Sequence, residues 1–255
     1  EAEAKAKADS IDRVALDEDF IKVSLVFAEP SEVIYSMAGH ALLRLQSPSN
    51  GLDICYTEEA EDMEDETLRF LTGRLQMRMV PVPTSLFLEQ YASAGRAVWQ
   101  YTFRLPNELE NYLWQILDQR VASGSAPYDF FARGCACSCF QVIQEALAQQ
   151  DVVFPEWGSE YERTAREIAR DASEASPWAQ FCWMTLAGSG ADALSPPEEK
   201  VLLPEDLVRV LQGTKVNGQK LITEAPVMLV DGMSSPTPSG FFTPMVVALI
   251  ILALV

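Results

Sequence analysis

With 255 residues, 48% of them hydrophobic, the chain can bury a full core as one large domain, or one domain with an appended segment. Its formal charge of −18 excludes the basic face that a nucleic-acid partner requires. The same charge disfavours loose adsorption to an anionic bilayer, so any membrane attachment must come from apolar burial.

The first ten residues, EAEAKAKADS, are polar and lack an initiator Met and an apolar h-region, so the start reads as processed or engineered. Residues 1–18 are expected to be flexible. Phe20 to Phe27 and Tyr35 to Leu45 read as strands, being apolar and β-branched between Pro and Gly signals. The run from Glu58 to Glu66 has seven carboxylates in nine positions and reads as a solvated loop or helix start. It lacks the glycine that a calcium loop needs. Thr67 to Leu75 and Ser85 to Ala94 have helical spacing. Arg96 to Leu105 alternates as a half-buried strand, and Pro106-Asn107 opens a helix through Leu113, Ile116, Leu117 and Val121.

In the segment from Tyr128 to Gln150, Cys139, Val142, Ile143, Ala146 and Leu147 form an i, i+3, i+4 stripe, which predicts an amphipathic helix with cysteines at its start. Past Gln150 the chain turns helical and acidic, with helices expected from Glu160 to Ala175 and from Pro204 to Leu211. The class is α+β, and no βαβ rhythm or phosphate loop supports nucleotide binding. Residues 19–233 read as one domain and 234–240 as a linker. The uncharged run 241–255 is shorter than the roughly 20 residues of a spanning helix and reads as the start of one, in preference to an interfacial tail or a buried strand. No Lys or Arg follows Lys220, which puts the body of the chain on the non-cytoplasmic side.

Two segments hold the chemistry. His40 is the only histidine and so the only side chain whose ordinary pKa suits proton transfer near neutrality. Strand alternation puts Ala41, Leu43 and Leu45 on one face and His40, Leu42 and Arg44 on the other. Gly39 leaves room for close approach of another backbone or a ligand. Cys135 lies one turn before Cys139, where the helix N-terminus is expected to lower its pKa and Gly134 to allow a sharp turn. If that helix packs on the His40 strand, thiol and imidazole meet as a cysteine acyl-transfer enzyme requires. Three other readings stay open. Cys139 can be a small core hydrophobe, and Cys135, Cys137 and Cys139 with His40 supply a metal's ligand count without the usual zinc spacing. Cysteines can also pair, among these three or as Cys55 with Cys182.

At these segments the chain resembles the Lnb N-terminal periplasmic domain family, named for a lipoprotein N-acyltransferase of Bacteroides-type bacteria. Its Y-S-x-F-G-H motif corresponds to Tyr35, Ser36, Met37, Ala38, Gly39 and His40, followed by Arg44. Its Y-x-F and N-C-[ST]-T motifs correspond to Tyr128, Asp129 and Phe130, then Gly134, Cys135, Ala136 and Cys137. A third stretch is similar around Pro177, Trp178, Gly188, Asp192 and Pro204.

The resemblance implies a permuted papain or NlpC/P60-like core, with a helical C-terminal extension and a truncated transmembrane helix. It implies Cys135 as nucleophile, His40 as base, and the backbone N–H groups of Cys135 and Ala136 as oxyanion donors. Arg44 would bind a lipid phosphate or pair with a carboxylate. Tyr35, Tyr128, Asp129 and Asp192 are the candidates for a third group. Acyl transfer from a phospholipid to a lipoprotein amine, at the periplasmic face of the inner membrane and with no metal or cofactor, is the implied function. A Cys-His hydrolase or peptidase, or a non-catalytic envelope domain, are the alternatives.

Overall fold

Apolar residues occupy both faces of strand β1 (Lys22–Ala28), and six of its seven residues are buried. Such a strand belongs at the centre of a sheet with layers packed on each side. The computed structural model describes residues 21–30, 38–61, 69, 72–128, 134–156, 162–174, 176–193, 201–232 and 243–254. In it β1 pairs antiparallel with β2 (His40–Ser47) and β5 (Val98–Thr102). A short 3-10 turn, Pro48–Asn50, carries β2 into β3 (Leu52–Ala60), which pairs with β4 (Gln76–Pro83). The edges are β6 (Ala126–Pro127) and β10 (Val227–Val230), so the seven-stranded sheet has the order β10-β5-β1-β2-β3-β4-β6.

Strand alternation divides the core between the two faces. Val23, Leu25, Phe27, Ala41, Leu43 and Leu45 pack under three helices, α2 (Asn107–Ala122), α3 (Cys135–Leu147) and α6 (Pro204–Gly213). Val26, Ala28, Leu42, Cys55, Val98 and Val230 pack with Phe87 of α1 (Thr84–Ser93) on the opposite face. A fully buried side chain of this size contributes about 1.5–3 kcal/mol. Polar ties fix where α2 lies on the sheet. Trp114 Nε1 donates to Tyr56 Oη at 2.9 Å, and that hydroxyl donates to Asp118 at 2.7 Å.

The class is α+β, as the sequence indicates, but three details differ. First, Glu58 and Glu59 are neither loop nor helix start: they end β3, which pairs with β4 as far as Ala60. Second, of the helix expected from Thr67 to Leu75, Arg69 is helical, residues 72–75 are turn and extended chain, and β4 starts at Gln76. Third, the C-terminal part is not only helical. Besides α4 (Ala165–Ala172), α5 (Pro177–Leu186) and α6, it holds a small sheet of β7 (Val152–Val153), β8 (Lys215–Val216) and β9 (Gln219–Lys220), and it returns β10 to the main sheet.

The apolar end is helical: α7 (Pro244–Leu254) has 11 residues, about 16 Å at the usual rise. No helix among the described residues is long and apolar enough to cross a membrane. The expected flexible start and the 234–240 linker lie outside the described residues.

Leu43 is 1% exposed under the helix layer. Truncation by Leu43→Ala should therefore lower unfolding free energy by about 2–5 kcal/mol, measured as a fall in denaturant midpoint with an unchanged slope.

Candidate active site

One irregularity of the sheet creates the site. The β1–β2 ladder runs to the pair Ala28 and His40, whereas the β2–β3 ladder stops at Leu43 and Tyr56 although β3 continues beside β4. His40 to Leu42 and Thr57 to Glu59 therefore part, leaving a notch between two strands. Ladder alternation decides which groups face it. Phe103 N–H donates to Val23 O, so odd-numbered β1 residues bond to β5 and even-numbered ones to β2. With even residues of β2 directed at β1, the N–H of Ala41 is directed to the β3 side, into the notch.

Helix α3 starts there. Backbone N–H groups of Ala41, Ala136 and Cys135 itself face Cys135 Sγ. Gly134 precedes the helix in extended backbone, φ −73° and ψ 164°, and provides no side-chain cap. That conformation is open to any residue, so the sharp turn expected of this glycine is not what it supplies. The first N–H groups of the helix have no intrahelical acceptor, and those of Cys135 and Ala136 gather around the sulfur. One turn on, Ser138 Oγ donates to Glu58 at 2.7 Å, pinning the helix start to β3.

These surroundings reverse the expected thiol acidity. Burial pushes Cys135 up to about 11, and the Glu58 charge adds to it, outweighing the backbone N–H groups that favour the thiolate. A helix terminus stabilises an anion only if the desolvation it must offset is smaller. At neutral pH Cys135 rests as a thiol.

His40 is held on several sides. Gly39 before it has φ +86°, and a Cβ there would lie 2.8 Å from Ala28 O, so the room expected at this glycine is filled by the end of β1. His40 Nε2 lies 2.9 Å from Thr57 Oγ1. The ring stacks with Tyr91 of α1, centroids 6.5 Å apart and planes 9° from parallel. Arg96 lies over the other partner of that stack, 4.6 Å from the Tyr91 centroid, and donates to Glu29 O. Burial, then the Arg96 charge, lowers His40 to about 4. Tyr91 is pushed up to about 12, mainly by burial, with the Arg96 charge opposing and Glu59 and Cys135 adding. Tyr91 thus neighbours both His40 and Cys135. At rest the site holds a neutral imidazole and a neutral thiol.

The other candidates are distributed unevenly. Ala136 is fully buried at the helix start. Arg44 makes a bidentate pair with Asp53, at 2.8 and 2.6 Å, and also donates to Gln100, so its charge has a carboxylate partner. Tyr128 follows edge strand β6, its N–H on Leu75 O. Asp192 ends a 3-10 turn, Ser189–Asp192, and is bound by Arg166 of α4 at 2.5 and 3.0 Å. Its carboxylate joins two C-terminal elements and does not orient His40. Tyr35 and Asp129 lie outside the described residues.

Thr57, Glu58, Tyr91 and Arg96 were not singled out by the sequence. Glu58 alone carried a visible signal, as the first member of the acidic run. None of the five cysteines is disulfide-bonded, and among the described residues no group of three or more His, Cys, Asp or Glu is placed to hold a metal ion.

The thiol's acidity is open to test. Peptide-resolved alkylation of Cys135 by iodoacetamide should keep rising through pH 9, with its midpoint only near 11. Glu58→Gln, which removes the neighbouring negative charge, should move that midpoint down and speed alkylation at pH 8; an unchanged midpoint would remove Glu58 from the site's electrostatics.

Comparison with known proteins agrees with the motifs. The model of the Lnb N-terminal periplasmic domain matches residues 9–159, a span that includes His40, the notch and Cys135 but stops before the third similar stretch at Pro177. No curated protein and no solved structure matches. Since the match covers more than half of the sequence and both chemical segments, the chain belongs to the Lnb N-terminal periplasmic domain family.

Proposed function

We propose that this domain is a cysteine-dependent acyltransferase that moves an acyl chain from a phospholipid to the N-terminal amine of a diacylglyceryl-cysteine lipoprotein. An early strand bearing His40 and a later helix bearing Cys135 have the order of a permuted papain-like core, and we read the fold in that way. The observation that carries the reading is the Ala41 N–H facing Cys135 Sγ, which brings the thiol to the residue adjoining His40.

In the first half-reaction His40 removes the thiol proton as Sγ attacks the ester carbonyl carbon. The C–O bond to glycerol breaks, and His40 returns the proton to that oxygen, releasing a lysophospholipid and leaving a thioester on Cys135. In this reading the N–H groups of Cys135 and Ala136, which face the sulfur, receive the tetrahedral oxyanion. In the second half-reaction the lipoprotein amine attacks the thioester. Its proton passes through His40 to the departing sulfur, which restores the thiol and forms an amide.

Apolar surface supports a lipid substrate. Met245, Leu249, Ile251 and Leu252 of α7, with Trp178 and Phe181 of α5, are each at least 46% exposed. We place the domain at the periplasmic face of the inner membrane on this basis, together with the family's location. Arg44, engaged by Asp53, has no part in substrate binding here.

Intact mass after incubation with phospholipid vesicles tests the reaction. The wild type should acquire a hydroxylamine-labile acyl adduct, Cys135→Ala none, and His40→Ala an adduct formed at least about 100-fold more slowly. Release of free fatty acid without any acylated amine would make the protein a hydrolase using the same pair. Because a base must be unprotonated to act and His40 is lowered to about 4, adduct formation should stay flat from pH 8 down to 5 and fall only near 4. An acid limb near 6.5 would mean that the imidazole is not held as described.

A further inference from the structure

Ring stacking leaves one degree of freedom unsettled at His40. Tyr91 restrains the plane of the imidazole, but a half-turn about the Cβ–Cγ bond keeps that plane and exchanges each nitrogen for a carbon. Only a directional contact at the ring edge distinguishes the two orientations. Thr57 supplies one: it is 2% exposed, and its Oγ1 lies 2.9 Å from Nε2. Its place follows from the strand, since β3 residues alternate between faces and Thr57 lies on the face of Cys55, with Leu42 and Phe87.

With Nε2 held by Thr57, the nitrogen left is Nδ1, the one nearer the ring's own backbone. The thiol sits at the N–H of the next residue, Ala41. A buried hydroxyl can donate or accept, and the neighbours decide between the two. Were Thr57 to donate to Nε2, the ring proton would sit on Nδ1, and neither ring nitrogen would have a free lone pair to take the thiol proton. The opposite arrangement leaves the Nδ1 lone pair free for that proton.

We propose that Thr57 is the positioning residue of this site, accepting a hydrogen bond from His40 Nε2–H and so fixing the tautomer and orientation in which Nδ1 is the base toward Cys135. The base role, and with it the choice of tautomer, rests on the function proposed above; the Thr57–Nε2 contact does not.

Because the chain has one histidine, a long-range proton–nitrogen correlation spectrum of the full-length, nitrogen-15-labelled protein at pH 7 shows a single imidazole. Wild type and Thr57→Ser should both carry the proton on Nε2. Thr57→Val, similar in shape but without the hydroxyl, should lose that preference and form the acyl adduct about tenfold more slowly, the size of one hydrogen bond's contribution. A wild-type proton on Nδ1 overturns the proposal with no variant needed, which covers the case of a Val variant that does not fold. So does a folded Thr57→Val protein with the wild-type tautomer and adduct rate. A Thr57-dependent Nε2–H signal in a wild type that forms no adduct would uphold the positioning role and reject acyl transfer.

Discussion

The parting of β2 and β3 is the constraint from which the rest of the site follows. An antiparallel ladder that stops three residues before its strand ends leaves backbone donors directed at nothing, and buried donors must be satisfied. At Ala41 the partner is the sulfur of Cys135, which seats the start of α3 in the notch. Ser138 and Glu58 hold that helix start from the other strand. A continuous β2–β3 pairing would fill this space with ladder hydrogen bonds, and a cysteine at the head of α3 would then have only the core to enter.

The electrostatics follow from the same enclosure. The protein as a whole is strongly acidic, yet the groups beside His40 and Cys135 are arranged locally, Arg96 on the imidazole side and Glu58 on the thiol side. Each charge disfavours the ionised form of its own neighbour, and burial works in the same direction on both. A thiolate–imidazolium pair is therefore disfavoured twice over. In the acyl transfer proposed above, proton transfer therefore accompanies bond formation with the carbonyl carbon, at the moment when oxyanion donors become useful.

Much of this architecture was legible because periodicity and burial agree. The stripe through Cys139, Val142, Ile143, Ala146 and Leu147 is buried without exception, and the two faces of β2 divide Ala41, Leu43 and Leu45 from His40, Leu42 and Arg44 as alternation predicts. What escaped was β3 with β4. The acidic run concealed the end of β3, where Glu58 turns inward to Ser138 instead of to solvent. Pro81 and Pro83 lie in β4, where a central paired strand would rarely hold a proline. Glu61 N–H donating to Gln76 O sets the ladder so that residues 76, 78, 80 and 82 bond to β3. The two prolines fall at alternate positions, facing the edge that β6 covers only at Gln76 and Met77, so their missing N–H groups cost no ladder bond. Without β3, Thr57 could not be placed beside His40, and a pairing between elements 17 residues apart leaves no local pattern to read.

A cysteine held as a neutral thiol has a further consequence in the periplasm. Oxidation by peroxide begins with the thiolate, and its rate follows the fraction ionised as well as access. With Cys135 held near 11, that fraction is small at neutral pH, so conversion to sulfenic acid and mixed-disulfide capture are both slow while no substrate is bound. Cys55, Cys137 and Cys139 are buried, and burial holds Cys55 and Cys139 above the ordinary thiol range as well. The burial that holds Cys135 as a neutral thiol thus lets a reduced cysteine persist outside the reducing cytoplasm, without a disulfide partner to guard it.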